Sequence, residues 1–312
     1  MPKVSVIIPV YGVEKYIERC VRSLFEQTLD DIEYLFVDDC TPDRSIDILK
    51  QVLEEYPQRK SQVLIHRMEK NSGQAAVRNW GMHNATGEYV THCDSDDWVD
   101  VNMYMLLYEK GISDNCDIVI CDYFVTNGNS KTIKKHHFSV NKLNMMFSSY
   151  NLWCKIIRRS VCANNDIMYP TGNMGEDMVY SVQLAWYSSS FGYVEKPLYY
   201  FCNNDSSITH TRDKNKSLSI FRQRKENEDI IELFISKKEI QGCKNNLVLS
   251  RLQTVSWLYP FVEDKEVLNI FRNTYTELFF DCLFARGISL KHKVRYYLAY
   301  LGLFPLFKKL HK

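Results

Sequence analysis

The chain has 312 residues, 45% hydrophobic and 25% charged, a globular balance that excludes a disordered or fibrous protein and suffices for one large domain, alone or with a smaller appendage. A formal net charge of +1 lacks the basic excess of a nucleic-acid binder, so no nucleic-acid partner is expected. Ten cysteines show no CxxC pair and no cysteine–histidine spacing of zinc type, Met1 to Pro9 offers no cleavable leader, and no uncharged apolar stretch reaches about 18 residues, which together fit a reducing, cytoplasmic setting.

Lys3 to Val10 (KVSVIIPV) reads as a short buried strand. Val13, Ile17, Val21, Leu24 and Phe25 recur at helical spacing and predict a helix over 13–28. Glu33 to Val37 predicts a second strand that ends at Asp38 and Asp39, and Thr41-Pro42 has the cap-then-proline signature of a helix start. That helix carries Ile46, Leu49, Val52, Leu53 and Tyr56 on one face. A strand near 62–66, a helix over 72–85 and a strand over 88–93 follow, the last delivering its end to Asp94. Asp100 is placed as the cap of the next helix, and Cys116 to Cys121 as a fifth strand. Strands alternating with helices imply a parallel sheet covered on both faces, whose ligands bind beyond the carboxyl ends of the strands. Tyr11, Asp38, Asp39 and Asp94 to Asp97 all fall there.

Residues 126–142 are polar and aperiodic, a loop or an exposed hairpin. A segment around Trp153, Ile156 and Ile157, a turn over 170–175, a helix near 176–189 and a strand near 192–201 come next. From about 216 the pattern is helical.

Four points carry candidate chemistry, three of them acidic. In Asp94-Ser95-Asp96-Asp97, carboxylates at i and i+2 just past a strand can converge on one hard cation; a turn cluster of Asp and Ser reads the same pattern. Asp38-Asp39 is either a turn device or an acceptor for a ligand's N–H or hydroxyl groups. Arg78 follows a run of small residues whose helix N-terminus favours an anion, or it is a solvated arginine. Glu176-Asp177 opens a helix, where acids suit the helix dipole, and one of them can equally serve as a general base.

The order of Val4-Ser5-Val6-Ile7-Ile8-Pro9-Val10-Tyr11, Val37-Asp38-Asp39, Asn71-x-Gly73, Arg78-Asn79-x-Gly81, Ala85-x-Gly87-Glu88-Tyr89, Asp94-x-Asp96-Asp97 and Gly175-Glu176-Asp177 resembles family 2 glycosyltransferases, which are inverting enzymes of the GT-A fold. The match is dense over 3–100, thinner over 150–210 and without a specific motif beyond about 215. The resemblance implies an α/β GT-A domain over 1–212, Rossmann-like with a mostly parallel sheet and helices on both faces. Its nucleotide-binding half spans about 1–122 and its acceptor-side half about 123–212, and a small helical C-terminal region follows over 213–312. It also implies a hexosyl- or N-acetylhexosaminyltransferase that draws on a nucleotide sugar, a UDP-sugar by preference, and acts on a hydroxyl of a glycan or lipid-linked saccharide in surface polysaccharide biosynthesis.

Carried over position by position, Pro9 and Tyr11 frame the base, Asp39 accepts from its imide N–H with Asp38 beside it, and Arg78 lies against the nucleotide. Asp94, Ser95 and Asp96 form the donor and metal site, with Asp96 as a ligand of Mn²⁺ or Mg²⁺ and Asp94 reaching the ribose or the metal shell. Asp177 is the implied base, supported by Glu176. The loop over 203–212 offers His210 or Arg212 to the diphosphate, and Trp153 and Lys155 resemble an acceptor-side segment, although a buried Trp accounts for the first. Gly12 departs from the family's frequent Asn, which is expected to remove a polar contact and loosen the backbone.

Two other readings use the same residues. A GT-A-like nucleotidyltransferase would need a glycine- and lysine-rich loop after the first strand, which Pro9 to Val13 lacks; a catalytically inactive nucleotide- or sugar-binding module would have lost acids that are present. The tail over 289–312 has six Lys or Arg and no acid, interleaved with Tyr and Leu. It reads as a peripheral contact with the inner face of the cell membrane, or as a helix packed on its own domain with a solvated basic face.

Overall fold

The computed structural model describes residues 1–127, 130–136, 138–148, 150–172, 174–203 and 213–304. Contacts divide the chain into two compact units, Met1–Asp205 and Ser206–Lys312.

The first unit runs β1 Val4–Val10, α1 Ile17–Phe25, β2 Ile32–Asp38, α2 Ser45–Glu55, β3 Val63–Arg67, α3 Gln74–Asn84, β4 Tyr89–His92, β5 Trp98–Val99, α4 Met103–Ser113, β6 Ile118–Asn127, β7 Ser130–Lys134, α5 Lys142–Ser148, β8 Lys155–Arg158, α6 Arg159–Ala163, α7 Glu176–Tyr187 and β9 Phe191–Cys202. β1 is apolar on both faces and lies parallel between β2 and β4, with Val10 opposite Asp38 and Ile7 opposite His92. That register places Tyr11, Asp39 and Asp94, each just past its strand, on one edge of the sheet.

Among the described residues the sheet has nine strands, ordered β3-β2-β1-β4-β8-β6-β9-β5, with β7 on β6. Six strands share one direction and β5, β7 and β8 oppose them, so the sheet is mostly parallel, as expected: strictly so over β1 to β4 and mixed beyond. β8 causes the change by inserting antiparallel between β4 and β6. The polar 126–142 stretch contains an exposed hairpin strand, β7.

α1 buries Ile17, Cys20, Val21, Leu24 and Phe25, the stripe expected, but starts four residues later than the periodicity suggested. The backbone N–H groups of Gly12, Val13 and Glu14 are taken instead by Thr41 Oγ1 (2.8 Å), Ser45 Oγ (3.1 Å) and Asp43 Oδ2 (2.9 Å). α2 is delayed for the same reason. Thr41 serves Gly12, and Asp43, just ahead of the Arg44 cap position, closes the turn before the helix by accepting from the Ser45 N–H at 3.1 Å and the Ser45 hydroxyl at 2.6 Å. Asp100 likewise closes the turn ahead of α4, accepting from Asn102 N–H at 2.9 Å, rather than capping the helix itself. Gly12 has φ +67°, a conformation that Gly and Asn share, and its N–H bond to Thr41 fixes the segment where looseness was expected. Gly81 lets α3 press on β1: a Cβ there would lie 2.4 Å from Ile7 Cγ2.

The second unit is helical: α8 Lys214–Lys237, α9 Lys244–Val255, a 3₁₀ turn Ser256–Phe261, α10 Lys265–Thr274, α11 Leu278–Phe284 and α12 Leu290–Tyr300. Its core gathers Phe221, Leu252, Leu258, Phe271, Leu278 and Tyr296. Glu228 is buried within it and accepts from Ser250 Oγ and Thr254 Oγ1 (2.7 Å each) and from the Tyr275 hydroxyl, so the charge-bearing group is satisfied. Among the described residues, the tail's aromatic side chains face this core: Tyr296 is buried, and Tyr297, Tyr300 and Phe304 pack against it. Among the described residues no helix is long and apolar enough to cross a membrane. The cysteines are free, and Cys20, Cys93 and Cys121 are buried as small hydrophobes.

Candidate active site

Five chain segments meet at the carboxyl edge of β1, β2 and β4. The first is the end of β1, where Pro9 is half-buried and Tyr11 exposed. The second is Asp38-Asp39, followed by Cys40 at φ +59°, a costly conformation for a residue with a Cβ. Asp38 is a turn device: its carboxylate accepts from Thr41 N–H at 2.7 Å and pairs with Arg67 at 2.6 Å. Asp39 instead reaches across to the entrance of α3, where its two oxygens accept from Ser72 N–H (2.7 Å) and Gly73 N–H (2.9 Å). Each oxygen retains a second lone pair for a ligand.

Arg78 is not the solvated residue that its sequence also allowed. It is buried on α3, donating from Nη1 to Glu176 at 3.0 Å and from Nη2 to Asp94 at 3.2 Å, with the guanidinium 5.7 Å from the Tyr169 ring centroid. Its Nε, also buried, has no hydrogen-bond partner among the described residues. Gln74 adds a donor to the same Asp94 oxygen at 3.4 Å.

The acidic run splits by alternation. Asp94 and Asp96 are half-exposed, whereas Ser95 and Asp97 are buried. Asp97 accepts from Tyr199 hydroxyl at 2.7 Å and from Cys202 N–H at 2.6 Å, and the same hydroxyl accepts from Asp94 N–H at 3.2 Å. Burial, then the charges of Asp96 and Asp94, push the Asp97 carboxyl well above the ordinary range. Asp97 therefore anchors the loop to β9, leaving Asp94 and Asp96 as the pair that can meet a ligand. Trp153 is buried and stacks on Tyr199 at 4.3 Å, as the simpler account of it held.

α7 supplies Glu176 and Asp177 from its first turn. Glu176 is buried against Arg78; burial and the neighbouring Asp177 outweigh Arg78 and push its carboxyl up to about 7. Asp177 is half-exposed and accepts from Met178 N–H at 2.9 Å. Lys155, at the start of β8, is buried close enough for Asp177 to raise its pKa, although burial is the larger effect and lowers it.

His92, the last residue of β4, escaped notice in the sequence. It is fully buried, in a 2.9 Å hydrogen bond between Nε2 and the Tyr169 hydroxyl, and burial with Arg78 and Lys155 nearby holds it neutral. Tyr169 stacks on Tyr180 at 4.1 Å, so the floor under Arg78 is aromatic. The one available signal was a histidine in a buried strand two residues before Asp94. His210 and Arg212 lie outside the described residues.

Among the described residues no three His, Cys, Asp or Glu side chains converge as a metal cage. Asp94 and Asp96 present oxygen ligands alone, which fits a hard divalent cation that takes the rest of its shell from phosphate oxygens and water.

Residues 5–181 match Glycosyl transferase family 2, more than half of the chain, and the protein belongs to that family. The putative glycosyltransferase EpsH of Bacillus subtilis (strain 168) is 32% identical over 228 residues, 68% of this chain and 64% of EpsH. The chain thus spans less than two thirds of that relative's length. The poly(ribitol-phosphate) beta-N-acetylglucosaminyltransferase TarP of Staphylococcus aureus (strain N315) is 28% identical over 228 residues, 70% of this chain and 68% of TarP. The crystal structure of S. aureus TarS 1-349 in complex with UDP-GlcNAc superposes with a TM-score of 0.63 at 19% identity, over 96% of this chain and 90% of that one. The shared fold is the mixed α/β GT-A architecture followed by helices.

Proposed function

We propose that the protein is an inverting glycosyltransferase that moves a hexosyl or N-acetylhexosaminyl group from a UDP-sugar to a hydroxyl of a glycan or lipid-linked saccharide during surface polysaccharide synthesis. The observation that carries this reading is the buried Arg78, which holds Asp94 on the donor side and Glu176 on the acceptor side of one cleft edge. TarS, which shares the fold, has been solved with UDP-GlcNAc, and TarP bears the name of a poly(ribitol-phosphate) N-acetylglucosaminyltransferase; both support a nucleotide-sugar donor and a surface-glycan acceptor.

In this reading the exposed Tyr11 ring stacks on the base beside Pro9, and Asp39 accepts its imide N–H while keeping the α3 entrance in place. Asp38 holds the turn that aims Asp39. Asp94 and Asp96 would hold Mn²⁺ or Mg²⁺, which supplies Lewis-acid stabilisation of the diphosphate leaving group. Asp177, accessible at the start of α7, takes the proton of the acceptor hydroxyl as its oxygen forms the new bond to the anomeric carbon. The bond to the diphosphate breaks on the opposite face, which inverts the centre and leaves no covalent enzyme intermediate. Glu176 cannot share this role while bound to Arg78; it positions the turn that carries Asp177. The protein works at the cytoplasmic face, with peripheral membrane contact made by its C-terminal region.

A panel of nucleotide sugars scored for thermal stabilisation, with Mn²⁺ and with chelator, tests the assignment. A ligand at about 100 times its Kd adds about 2.7 kcal/mol, a rise of several degrees. If no nucleotide sugar raises the melting temperature in the presence of Mn²⁺, the donor reading fails.

A further inference from the structure

Among the described residues, five of the nine exposed large apolar side chains of the second unit lie on α11 and α12; the other four are Ile230 and Leu233 on α8 and Leu301 and Leu303 beyond α12. Phe280, Leu283 and Phe284 on α11 are 64%, 53% and 77% exposed, and Leu290 and Val294 on α12 are 75% and 40% exposed. Lys293 donates to the carbonyls of Leu283 and Ala285 at 2.9 Å each, docking the first turns of α12 on the end of α11. Positions 290, 293 and 294 share one helical face, so Leu290 and Val294 flank the lysine that touches Leu283. The five side chains therefore form one ridge. An apolar ridge of this kind on a water-facing surface marks a contact with something else.

Charge selects the partner. From Cys282 to Phe304 the chain carries Arg286, Lys291, Lys293 and Arg295 and no Asp or Glu, and Asp281 is paired with Lys244 at 2.7 Å. A second copy docked on this face would bring two cationic rims together, whereas an anionic leaflet neutralises them. We infer that the α11–α12 ridge seats the protein on an anionic lipid leaflet. Phe280, Leu283, Phe284, Leu290 and Val294 enter the headgroup–acyl boundary, and Arg286, Lys291 and Arg295 meet lipid phosphates. This rests on the peripheral contact proposed above and moves it from the tyrosine stripe, which is occupied by the unit's own core, to the ridge beside it.

The test is co-sedimentation of the full chain with phosphatidylcholine vesicles, with and without about a third phosphatidylglycerol. Binding at least tenfold stronger to the anionic vesicles and weakening with salt is expected, and the double variant Phe284→Ser/Leu290→Ser should lose about tenfold with an unchanged melting temperature. Equal binding by the variant overturns the ridge while leaving peripheral contact standing; no binding by the parent protein overturns both. A concentration-dependent oligomer without lipid, made monomeric by the same variant, assigns the ridge to a second copy and also overturns the inference. None of these readouts needs donor or acceptor, so a failure of the transfer reading would register separately.

Discussion

Arg78 and Glu176, 98 positions apart, form an ion pair at 3.0 Å with both side chains almost wholly buried. Removing one member of such a pair strands the other charge in a low-dielectric site. Arg78→Met is therefore expected to lower unfolding stability by about 3–5 kcal/mol in urea denaturation, well beyond an ordinary surface change. A loss under about 1 kcal/mol would show that the pair does not hold the two sides of the cleft together.

The same pair makes stability pH-dependent. Glu176 titrates near 7 in the folded protein against an ordinary 4.5, so the folded state binds the proton more tightly. Its contribution is complete below about pH 4.5 and is lost as pH rises towards 7. Glu176→Gln should flatten the fall in melting temperature across that window; an unchanged slope would assign the titration elsewhere.

Asp177 and Glu176 are adjacent but should separate in kinetics. Asp177→Asn is expected to lower kcat by about 10²–10⁴-fold with donor affinity little changed, because a general base acts in the transition state. Transfer at the parental rate would remove Asp177 from that role.

Within the acidic run, Asp96 and Asp97 should fail in different ways. Asp96→Ala is expected to abolish the Mn²⁺-dependent part of donor stabilisation and leave the fold intact. Asp97→Ala removes the acceptor for Tyr199 and for the Cys202 N–H, which should cost about 1–3 kcal/mol of stability. Donor titrations by calorimetry with and without metal, run beside urea melts, distinguish the two, and the reverse pattern would exchange their roles.

Asp43 tests the fold rather than the chemistry. Its carboxyl is drawn down to about 2, since hydroxyl bonds from Ser45 and Thr41 overcome the effect of burial. Asp43→Ala should cost about 1–3 kcal/mol by thermal melt, because the Glu14 and Ser45 N–H groups lose their acceptor. A neutral result would show that Asp43 does not hold the entrances of α1 and α2 together.

Strands β1 to β4, β6 and β9, most helices and the convergence of Tyr11, Asp39 and Asp94 were legible because buried parallel strands have a strong local signature and their register follows from it. The starts of α1, α2 and α4 were not. Thr41-Pro42 looks like a cap, and only the distant Gly12 N–H explains why it is otherwise engaged. The ranking within Asp94-Ser95-Asp96-Asp97 depended on Tyr199, more than a hundred positions away, and the burial of Arg78 depended on Glu176 and Tyr169. A local pattern cannot carry such partners. The tyrosines of the tail were read as a surface stripe because a basic amphipathic helix looks alike whether its apolar side meets lipid or its own core.

The Tyr199 hydroxyl, shared between Asp97 and the Asp94 N–H, has a consequence for how the protein is made. During synthesis the acids emerge long before the strand that fixes them, and closing so long a loop is slow. The cleft is therefore completed late, after β1 to β4 are able to pair. A fragment ending near 122 would contain Asp38, Asp39, Asp94 and Asp96 yet lack the tether that sorts inward from outward carboxylates, so the residues proposed to meet the base would be present before the acidic run is set.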